Sequence, residues 1–328
     1  MKSFDVIMRS DAGNVQQIGT GHLYRSITIA KLLIKKFKIE KKKIIFITKT
    51  TGKFSLSKKI LKQNKFNFYS IKANATNKDE YNAIKKFKSN LLIIDKYRTR
   101  NTKYLKKIKK NFKKIIFLDA IKYEHEDALY INSLLHRVDK KIKNIGFKYL
   151  ICPSFLNKRK SIIKKKLINI FLFFGGFDNK KIMDKIMFFF NNNKEKYTLI
   201  LPQSVKNKYN YFGNIKYFTN KNIFDFLAFS DLAITAGGLT MFDAINIKKP
   251  IISIPQYLHQ ELNIKKLDNK GCVLTLKINK NFNKNLSKHL LFMMDWGNRT
   301  AIFKNQSKIL SGNKMPKSLE LIYNEFKS

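Results

Sequence analysis

Residues 4–25 read FDVIMRSDAGNVQQIGTGHLYR. This stretch passes from an apolar run through a glycine-containing loop to the start of a helical pattern. Phe4–Met8 is apolar nearly throughout, as the buried strands of parallel sheets are. Gly19 and Gly21 permit a tight turn and a close approach of the backbone to a ligand. From His22 onward, apolar residues recur at helical spacing. The segment therefore predicts the strand, loop and helix that open an α/β domain.

The same alternation continues through all 328 residues. In the first half, strands are predicted at Phe4–Met8, Lys43–Thr48, Phe66–Ile71, Leu91–Asp95 and Ile115–Asp119, and helices at His22–Phe37, Phe54–Gln63, Asp79–Lys88 and Thr102–Asn111. In the second half, strands are predicted at Ile168–Phe174, Tyr197–Leu201, Ile215–Phe218, Leu232–Ala236, Ile251–Ile254 and Val273–Leu276, and helices near Lys180–Phe190, Asn222–Phe229, Thr240–Asn246, Gln260–Lys270 and Asn285–Met294. This succession predicts an α/β protein with two doubly wound, Rossmann-like domains facing a cleft.

A basic stretch, Asn157–Lys166, interrupts the alternation and is typical of a linker. The predicted domains are therefore residues 1–156, which contain the His22 loop, and residues 157–328. The last segment, Arg299–Phe326, is helical in pattern but follows no strand. It is a candidate for crossing back onto the first domain.

The formal net charge is +45, which by itself would suggest nucleic acid or an anionic membrane as a partner. Only seven of the 67 basic residues are Arg, the side chain that bidentate phosphate and base contacts favour. We therefore interpret the Lys excess as solvated surface and expect no specific nucleic-acid partner. A weak peripheral contact with an anionic membrane remains open.

Cysteine content and hydropathy indicate a cytoplasmic protein. Cys152 and Cys272 are far apart and lack metal-ligand spacing, so we expect neither a disulfide nor a zinc site. No apolar run approaches the ~18 to 20 residues that span a bilayer, and the N-terminus lacks the apolar core of a signal peptide.

His22 is the candidate catalytic residue. It begins the first predicted helix, directly after Gly19 and Gly21, where the ligands of open α/β sheets bind. The positive end of a helix favours the neutral, basic form of an imidazole, which suits a general base.

Two glycine pairs in the second half also follow predicted strands. Gly175 and Gly176 precede Asp178, a typical helix cap. Gly237 and Gly238 precede Leu239, Thr240 and Asp243 at the start of a helix. Glycine permits backbone approach to a pyrophosphate, Thr240 can donate to a phosphate oxygen, and Asp243 can accept from ribose hydroxyls.

A third cluster follows the strand Ile251–Ile254. His259, Gln260 and Asn263 lie on one face of a predicted helix and supply uncharged hydrogen-bonding groups. Such groups suit the hydroxyls and amides of a sugar.

The N-terminal pattern, Arg9-x-Asp11 followed by Ile18-Gly19-x-Gly21-His22-x-x-Arg25, closely resembles PseG-type UDP-2,4-diacetamido-2,4,6-trideoxy-β-L-altropyranose hydrolases. The segments Leu92–Tyr97, Leu118-Asp119, Gly175-Gly176-x-Asp178 and Gly-Gly-Leu-Thr at 237–240 share this resemblance. The segments 237–243 and 259–271 also resemble the UDP-binding half of MurG-type glycosyltransferases.

The resemblance implies a GT-B fold and a hydrolase of pseudaminic-type nonulosonic acid synthesis, which cleaves the C1–O bond of a UDP-sugar with inversion. It makes His22 the catalytic histidine and implies neither a metal nor another cofactor. The substrate-binding set that motif and resemblance give together is Arg9, Asp11, Gly19, Gly21, Arg25, Tyr97, Gly175, Gly176, Gly237, Gly238, Leu239, Thr240, Asp243, His259, Gln260 and Asn263.

Two departures keep a second function open. His259 stands where the hydrolases have Asn, and Asp243 stands where Glu is usual. The pattern at His259, Gln260 and Asn263 is closer to glycosyltransferases, including the spore-coat-polysaccharide relatives. The alternative is therefore transfer of the sugar from UDP to an acceptor in surface polysaccharide synthesis; the resemblance leaves the sugar and the oligomeric state undefined.

Overall fold

The computed structural model describes residues 1–13, 18–96, 103–133, 138–156, 162–176, 178, 180–193, 195–310 and 316–328, apart from the side chains of residues 103, 104, 108 and 310. The chain forms two compact units. The first comprises Met1–Leu156 and Gly312–Ser328, and the second comprises Asn157–Ser311.

The first unit is a parallel sheet with helices packed on it. Its strands are β1 (Lys2–Ser10), β2 (Ile44–Lys49), β3 (Asn67–Ile71), β4 (Phe87–Asp95), β5 (Phe112–Leu118), β6 (Ala128–Asn132) and β7 (Asn144–Ile145). Its helices are α1 (Gly21–Phe37), α2 (Ser55–Gln63), α3 (Asn77–Ile84) and α10 (Lys317–Lys327). The spatial order is β3-β2-β1-β4-β5-β6-β7, so the strand order reverses between β1 and β4.

Both faces of this sheet are buried, which explains the continuous apolar strands. In β1, Val6 and Met8 belong to the core that includes residues of α1, while Ile7 belongs to the core on the opposite face. Helix α10 shares the α1 core, and the rings of Tyr323 and Phe37 stack with centroids 3.5 Å apart.

The second unit repeats the architecture. Its strands are β8 (Asn169–Phe173), β9 (Thr198–Pro202), β10 (Asn214–Phe218), β11 (Leu232–Ala236), β12 (Ile251–Ile254) and β13 (Leu274–Thr275). Its helices are α4 (Ile182–Asn191), α5 (Ile223–Phe229), α6 (Leu239–Asn246), α7 (Leu258–Asp268), α8 (Phe282–Met294) and α9 (Trp296–Leu310). All paired strands are parallel, and the order β10-β9-β8-β11-β12-β13 reverses between β8 and β11.

The predicted α/β class with two parallel sheets is confirmed, while several element boundaries are wrong. The helix predicted at Asp79–Lys88 ends at Ile84, because Phe87 and Ser89 are buried and Lys88 is exposed, the alternation of a strand. The segment Lys103–Asn111 is a 3-10 helix rather than the predicted α-helix.

The far edge of the first sheet and the end of the chain also differ from prediction. Strands β6 and β7 were not predicted; β7 has only two residues, too few to show a period. The single helical segment predicted at Arg299–Phe326 is two helices, α9 and α10. Pro316 stands directly before α10, a position that tolerates proline where a helix interior does not.

Across the described ranges, no helix combines the length and the apolar character needed to cross a membrane.

Candidate functional site

The site of the first unit lies where its strand order reverses. At this point Ser10, the last residue of β1, pairs with Asp95, the last residue of β4. The loop after β1 returns through Gly19, whose φ of +52° is a conformation that glycine adopts without strain, and leads directly into α1. His22, the second residue of α1, is thereby brought to the carboxyl end of β4. In open α/β sheets, ligands bind outside this reversal point.

The His22 ring contacts a buried carboxylate. Its Nδ1 lies 2.7 Å from Oδ1 of Asp95. Burial by itself would raise the pKa of Asp95, but the charges of Arg25 and His22 lower it to about 2. The carboxylate is therefore ionised near neutral pH and can only accept hydrogen bonds, so Nδ1 must donate. A neutral His22 then carries its lone pair on Nε2, the atom that can accept a proton.

Arg25 fixes the Asp95 carboxylate. Its Nε donates to Oδ2 of Asp95 at 2.7 Å and its Nη2 donates to Oδ1 at 2.6 Å. Its Nη1 donates to Asp119, which in turn accepts from the backbone N–H of Ser133 at 2.8 Å. Burial alone would lower the pKa of Arg25, but the charges of Asp119 and Asp95 raise it above its ordinary value. The guanidinium is thus a fixed positive charge that orients the partner of His22.

A second buried network holds the loop after β1. Arg9 Nη1 and Nη2 donate to the two oxygens of Asp11 at 2.6 and 2.9 Å, and Nη2 also donates to Glu80 at 2.9 Å. Lys96 Nζ lies 2.8 Å from both oxygens of Glu80. Asp11 also accepts from the backbone N–H of Lys49 at 2.8 Å. These bonds tie together the ends of β1, β2 and β4, the strands that position the His22 loop.

The predicted residues of the first unit therefore occupy two kinds of position. His22 is part-buried, with 17% of its side chain exposed. Gly19 and Gly21 are partly exposed beside it, whereas Arg9, Asp11 and Arg25 are buried and held by acidic or basic partners. Tyr97, predicted to line the sugar site, lies outside the described residues.

In the second unit, loops that follow three neighbouring strands meet at the equivalent reversal point. Gly175 and Gly176 follow β8 and are exposed. The chain then enters α4, where the backbone N–H groups of Ile182 and Met183 donate to the carboxylate of Asp178 at 2.9 and 2.8 Å. Asp178 therefore satisfies the first two N–H groups of α4, although the N-cap residue itself is Lys181 and not Asp178 as predicted.

The loops after β8 and β12 are joined by an amide side chain. Gln256 Nε2 donates to the backbone carbonyl of Phe174 at 2.7 Å. The backbone N–H of Gln256 donates to Oε1 of Gln260 at 2.9 Å. His259 is partly exposed and stacks on Tyr257, with ring centroids 5.6 Å apart. The cluster predicted after β12 therefore lies at the start of α7, and Gln260 is bonded to the loop that leads into this helix.

The loop after β11 packs directly against α7. An added Cβ at Gly237 would lie 2.6 Å from Cδ1 of Ile264 and 2.9 Å from Cβ of Gln260, so only glycine allows this approach. Gly238, Leu239 and Thr240 are partly exposed at the start of α6. Of the remaining predicted residues, Asp243 and Asn263 are buried, with 5% and 1% exposure.

We expect Gly237→Ala to lower the free energy of unfolding by about 1–3 kcal/mol, the usual cost of forcing an extra methyl group into a packed site. Gly238→Ala is the matched control. The added Cβ would have Nε2 of Gln260 as its nearest neighbour at 3.8 Å, and the φ of −102° suits any residue, so we expect only the loss of about 1 kcal/mol or less that follows from placing alanine at the N-cap of α6. Urea unfolding of both variants measures the difference; equal losses would show that α7 does not restrict this turn.

Several residues of the two sites were not given roles from sequence. Asp95, Lys96 and Asp119 were recognised only as parts of a resemblance, and Glu80 and Gln256 were not singled out. A usable signal existed for Asp95, because an acidic residue that ends a run of buried apolar residues lies at the ligand-binding edge of a parallel sheet.

No group of three or more His, Cys, Asp or Glu side chains suited to a metal ion occurs within the described ranges. In the first site, Asp95 and Glu80 are instead paired with Arg or Lys side chains.

The two parallel-sheet α/β units have the GT-B fold, which solved glycosyltransferase structures share. Residues 180–321 match the model of the Glycosyltransferase family 28 C-terminal domain. This match covers the loops after β11 and β12, together with α6 and α7.

Solved structures share the fold of the whole chain. MurG of Acinetobacter baumannii superposes with a TM-score of 0.66 at 13% identity, covering 100% of both chains. The spinosyn rhamnosyltransferase SpnG complexed with thymidine diphosphate superposes with a TM-score of 0.63 at 12% identity, covering 99% of both chains. At these identities, the similarity establishes the fold alone.

A similar curated sequence is "Uncharacterized protein MJ1062" of Methanocaldococcus jannaschii. It is 28% identical over 270 residues, which cover 73% of this chain and 54% of that protein. The chain therefore matches about half the length of this relative.

Proposed function

We propose that the protein cleaves the C1–O bond of a UDP-linked sugar by activating a hydroxyl nucleophile with His22. The observation that carries this proposal is the contact between His22 Nδ1 and the buried, ionised Asp95. The contact assigns the Nδ1 hydrogen to the bond with Asp95, so Nε2 is the ring nitrogen left to take a proton at the ligand-binding edge of the first sheet.

The bond changes are those of an inverting displacement. The hydroxyl oxygen attacks C1 while its proton passes to Nε2 of His22. The C1–O bond to the diphosphate breaks, and its electron pair leaves with UDP. Asp95 orients the ring and stabilises the imidazolium that forms, and Arg25 keeps Asp95 in place.

The second unit is proposed to bind the nucleotide. The Gly237–Gly238 turn leads into α6, and backbone N–H groups at the start of a helix favour phosphate. Thr240 and Asp243 remain the proposed partners of phosphate and ribose, and His259, Gln260 and Asn263 those of polar donor groups. Support comes from the family 28 match over this region and from the thymidine diphosphate bound by SpnG.

Transfer to an acceptor hydroxyl is the first candidate reaction. The family match and the solved structures are those of glycosyltransferases, and they favour transfer over hydrolysis. The acceptor would be a carbohydrate of a surface polysaccharide.

Hydrolysis is the second candidate, in which water takes the place of the acceptor. It is favoured by the N-terminal pattern from Arg9 to Arg25, which resembles the PseG-type hydrolases and contains the base itself. The product would then be a free 2,4-diacetamido-trideoxy sugar of pseudaminic-type nonulosonic acid synthesis.

The test follows UDP release from UDP-2,4-diacetamido-2,4,6-trideoxy-altrose and from UDP-N-acetylglucosamine, with and without a membrane-saccharide extract as acceptor. Many turnovers without acceptor indicate hydrolysis, and release that depends on the extract indicates transfer. A folded protein that neither binds UDP in calorimetry nor releases it would contradict the proposal.

A further inference from the structure

One corner of the second unit exposes a group of large apolar side chains. We define this apolar corner by Ile162, Phe229, Leu291, Phe292, Met294 and Trp296, all of which are exposed. Monomeric proteins seldom expose adjacent aromatic and aliphatic side chains without an interaction partner. The corner is formed by the chain before β8, the end of α5 and the junction of α8 with α9.

The apolar corner is held in place by a buried arginine. Arg299 is fully buried, and its guanidinium donates to the backbone carbonyls of Met293, Met294, Lys164 and Lys165, the last two at 2.7 Å. This arginine therefore ties the segment that follows Ile162 to the α8–α9 junction. Trp296 adds a longer hydrogen bond from Nε1 to the backbone carbonyl of Ile163 at 3.4 Å.

Lysines surround these apolar side chains. Lys164 and Lys216 place their Nζ atoms 4.5 and 4.7 Å from the Phe229 ring centroid. Lys165 and Lys166 are exposed on the tied segment. Asp295, the acidic residue at the α8–α9 junction, accepts from the backbone N–H of Asn298. Lys164 also forms an ion pair with the buried Asp231 at 3.4 Å, and Asp295 is exposed. The positive charge beside the apolar side chains therefore comes mainly from Lys165, Lys166 and Lys216, which are exposed and form the rim of the corner.

We propose that the apolar corner docks on the surface of an anionic lipid bilayer. Aliphatic and aromatic side chains can enter the boundary between headgroups and acyl chains, and lysines beside them are attracted to the negative charge of anionic lipids. Trp is suited to this boundary because its ring is apolar and its N–H is polar. The formal net charge of +45 favours the same partner.

The charge and the side-chain chemistry favour lipid over single-stranded nucleic acid or a protein. Ile162, Leu291 and Met294 offer no ring for stacking on a base, and the rim residues named above are lysines rather than the arginines that nucleic-acid contacts favour. An acidic protein could form ion pairs with the lysines of the rim. A lipid surface can do so as well, and it also accommodates long aliphatic side chains without a shaped pocket to receive them.

The apolar corner lies at the amino ends of β8 and β11, whereas the Gly175 and Gly237 turns follow their carboxyl ends. Docking would therefore leave the proposed nucleotide-binding loops uncovered. The inference goes beyond the proposed function and does not depend on it.

Trp296 is the only tryptophan of the chain, so its fluorescence reports on this corner directly. The full chain is mixed with vesicles of phosphatidylcholine alone and of phosphatidylcholine with phosphatidylglycerol. We expect the anionic vesicles, and not the neutral ones, to shift Trp296 emission to the blue and to protect it from acrylamide quenching.

Leu291→Ser/Phe292→Ser is expected to weaken binding to the anionic vesicles at least about tenfold, because each side chain loses the gain of leaving water. Phe188→Ser/Phe212→Ser is the matched control, since these side chains are 64% and 86% exposed elsewhere in the same unit and the net charge is unchanged. Sedimentation with vesicles gives both affinities, and circular dichroism checks that both variants are folded.

Three outcomes would overturn the inference. The protein could sediment with vesicles while Trp296 emission stays unchanged, which would mean that charge elsewhere binds the lipid. The two double variants could bind equally. Oligothymidylate or an acidic protein could change Trp296 emission while anionic vesicles do not, which would assign the corner to another partner.

Discussion

His22→Ala should lower the rate of UDP release by at least about two orders of magnitude, the usual effect of removing a general base. The reason is that Nε2 of His22 takes the proton of the attacking hydroxyl in the proposed reaction. The affinity for UDP should be unchanged, because UDP is assigned to the second unit. Initial rates and calorimetry with UDP measure the two quantities separately.

His22→Asn is the control for loss of the hydrogen bond to Asp95. The Asn amide nitrogen takes the place of the ring Nδ1 and can donate to that carboxylate, but the amide cannot accept a proton as imidazole does. We expect this variant to be as inactive as His22→Ala. An Asn variant with near wild-type rates would show that His22 supports the site without transferring a proton.

We expect Asp95→Asn to lower the free energy of unfolding by about 3 kcal/mol, at the low end of the cost of breaking a buried ion pair. Two nitrogens of Arg25 and Nδ1 of His22 donate to the Asp95 carboxylate. An amide offers one acceptor oxygen and turns its NH2 toward these donors. The loss is limited because Arg25 keeps Asp119.

The control is Asp127→Asn, which removes an exposed ion pair with Lys109 and should leave the free energy of unfolding nearly unchanged. The folded-state pKa of Asp95 is about 2, below the ordinary 3.8, so its ionised form stabilises the fold above pH ~4. This contribution disappears as the pH falls through about 2. The difference in free energy of unfolding between wild type and Asp95→Asn should therefore become smaller as the pH falls from ~4 to ~2, which urea unfolding at each pH measures. A difference that does not change with pH would contradict the assignment.

The sheets could be predicted because their strands are buried on both faces. Ile44–Lys49 and Leu232–Ala236 read as apolar runs of the right length, and the segments after them carry helical periodicity. The 3-10 helix at Lys103–Asn111 could not be distinguished from an α-helix, since apolar residues three apart suit both. The two-residue strand Asn144–Ile145 exists only through its pairing with β6.

The candidate site could be predicted only where it is local in sequence. The glycine turn and the start of α1 identify His22 within a few residues. Its partner Asp95 is 73 residues away, and Glu80 is 71 residues from Arg9. Both pairings require β4 to lie beside β1, which is a matter of strand order. An alternating βα pattern specifies parallel strands without specifying that order.

The most direct test of the account is to run the reaction with a UDP-sugar in water enriched in oxygen-18 and to measure the mass of the released UDP. Cleavage of the C1–O bond leaves the bridging oxygen on UDP whether water or an acceptor attacks C1. The account therefore predicts UDP without oxygen-18, formed at a rate that depends on His22. Oxygen-18 in the terminal phosphate of UDP would show attack at phosphorus and would contradict the proposed chemistry.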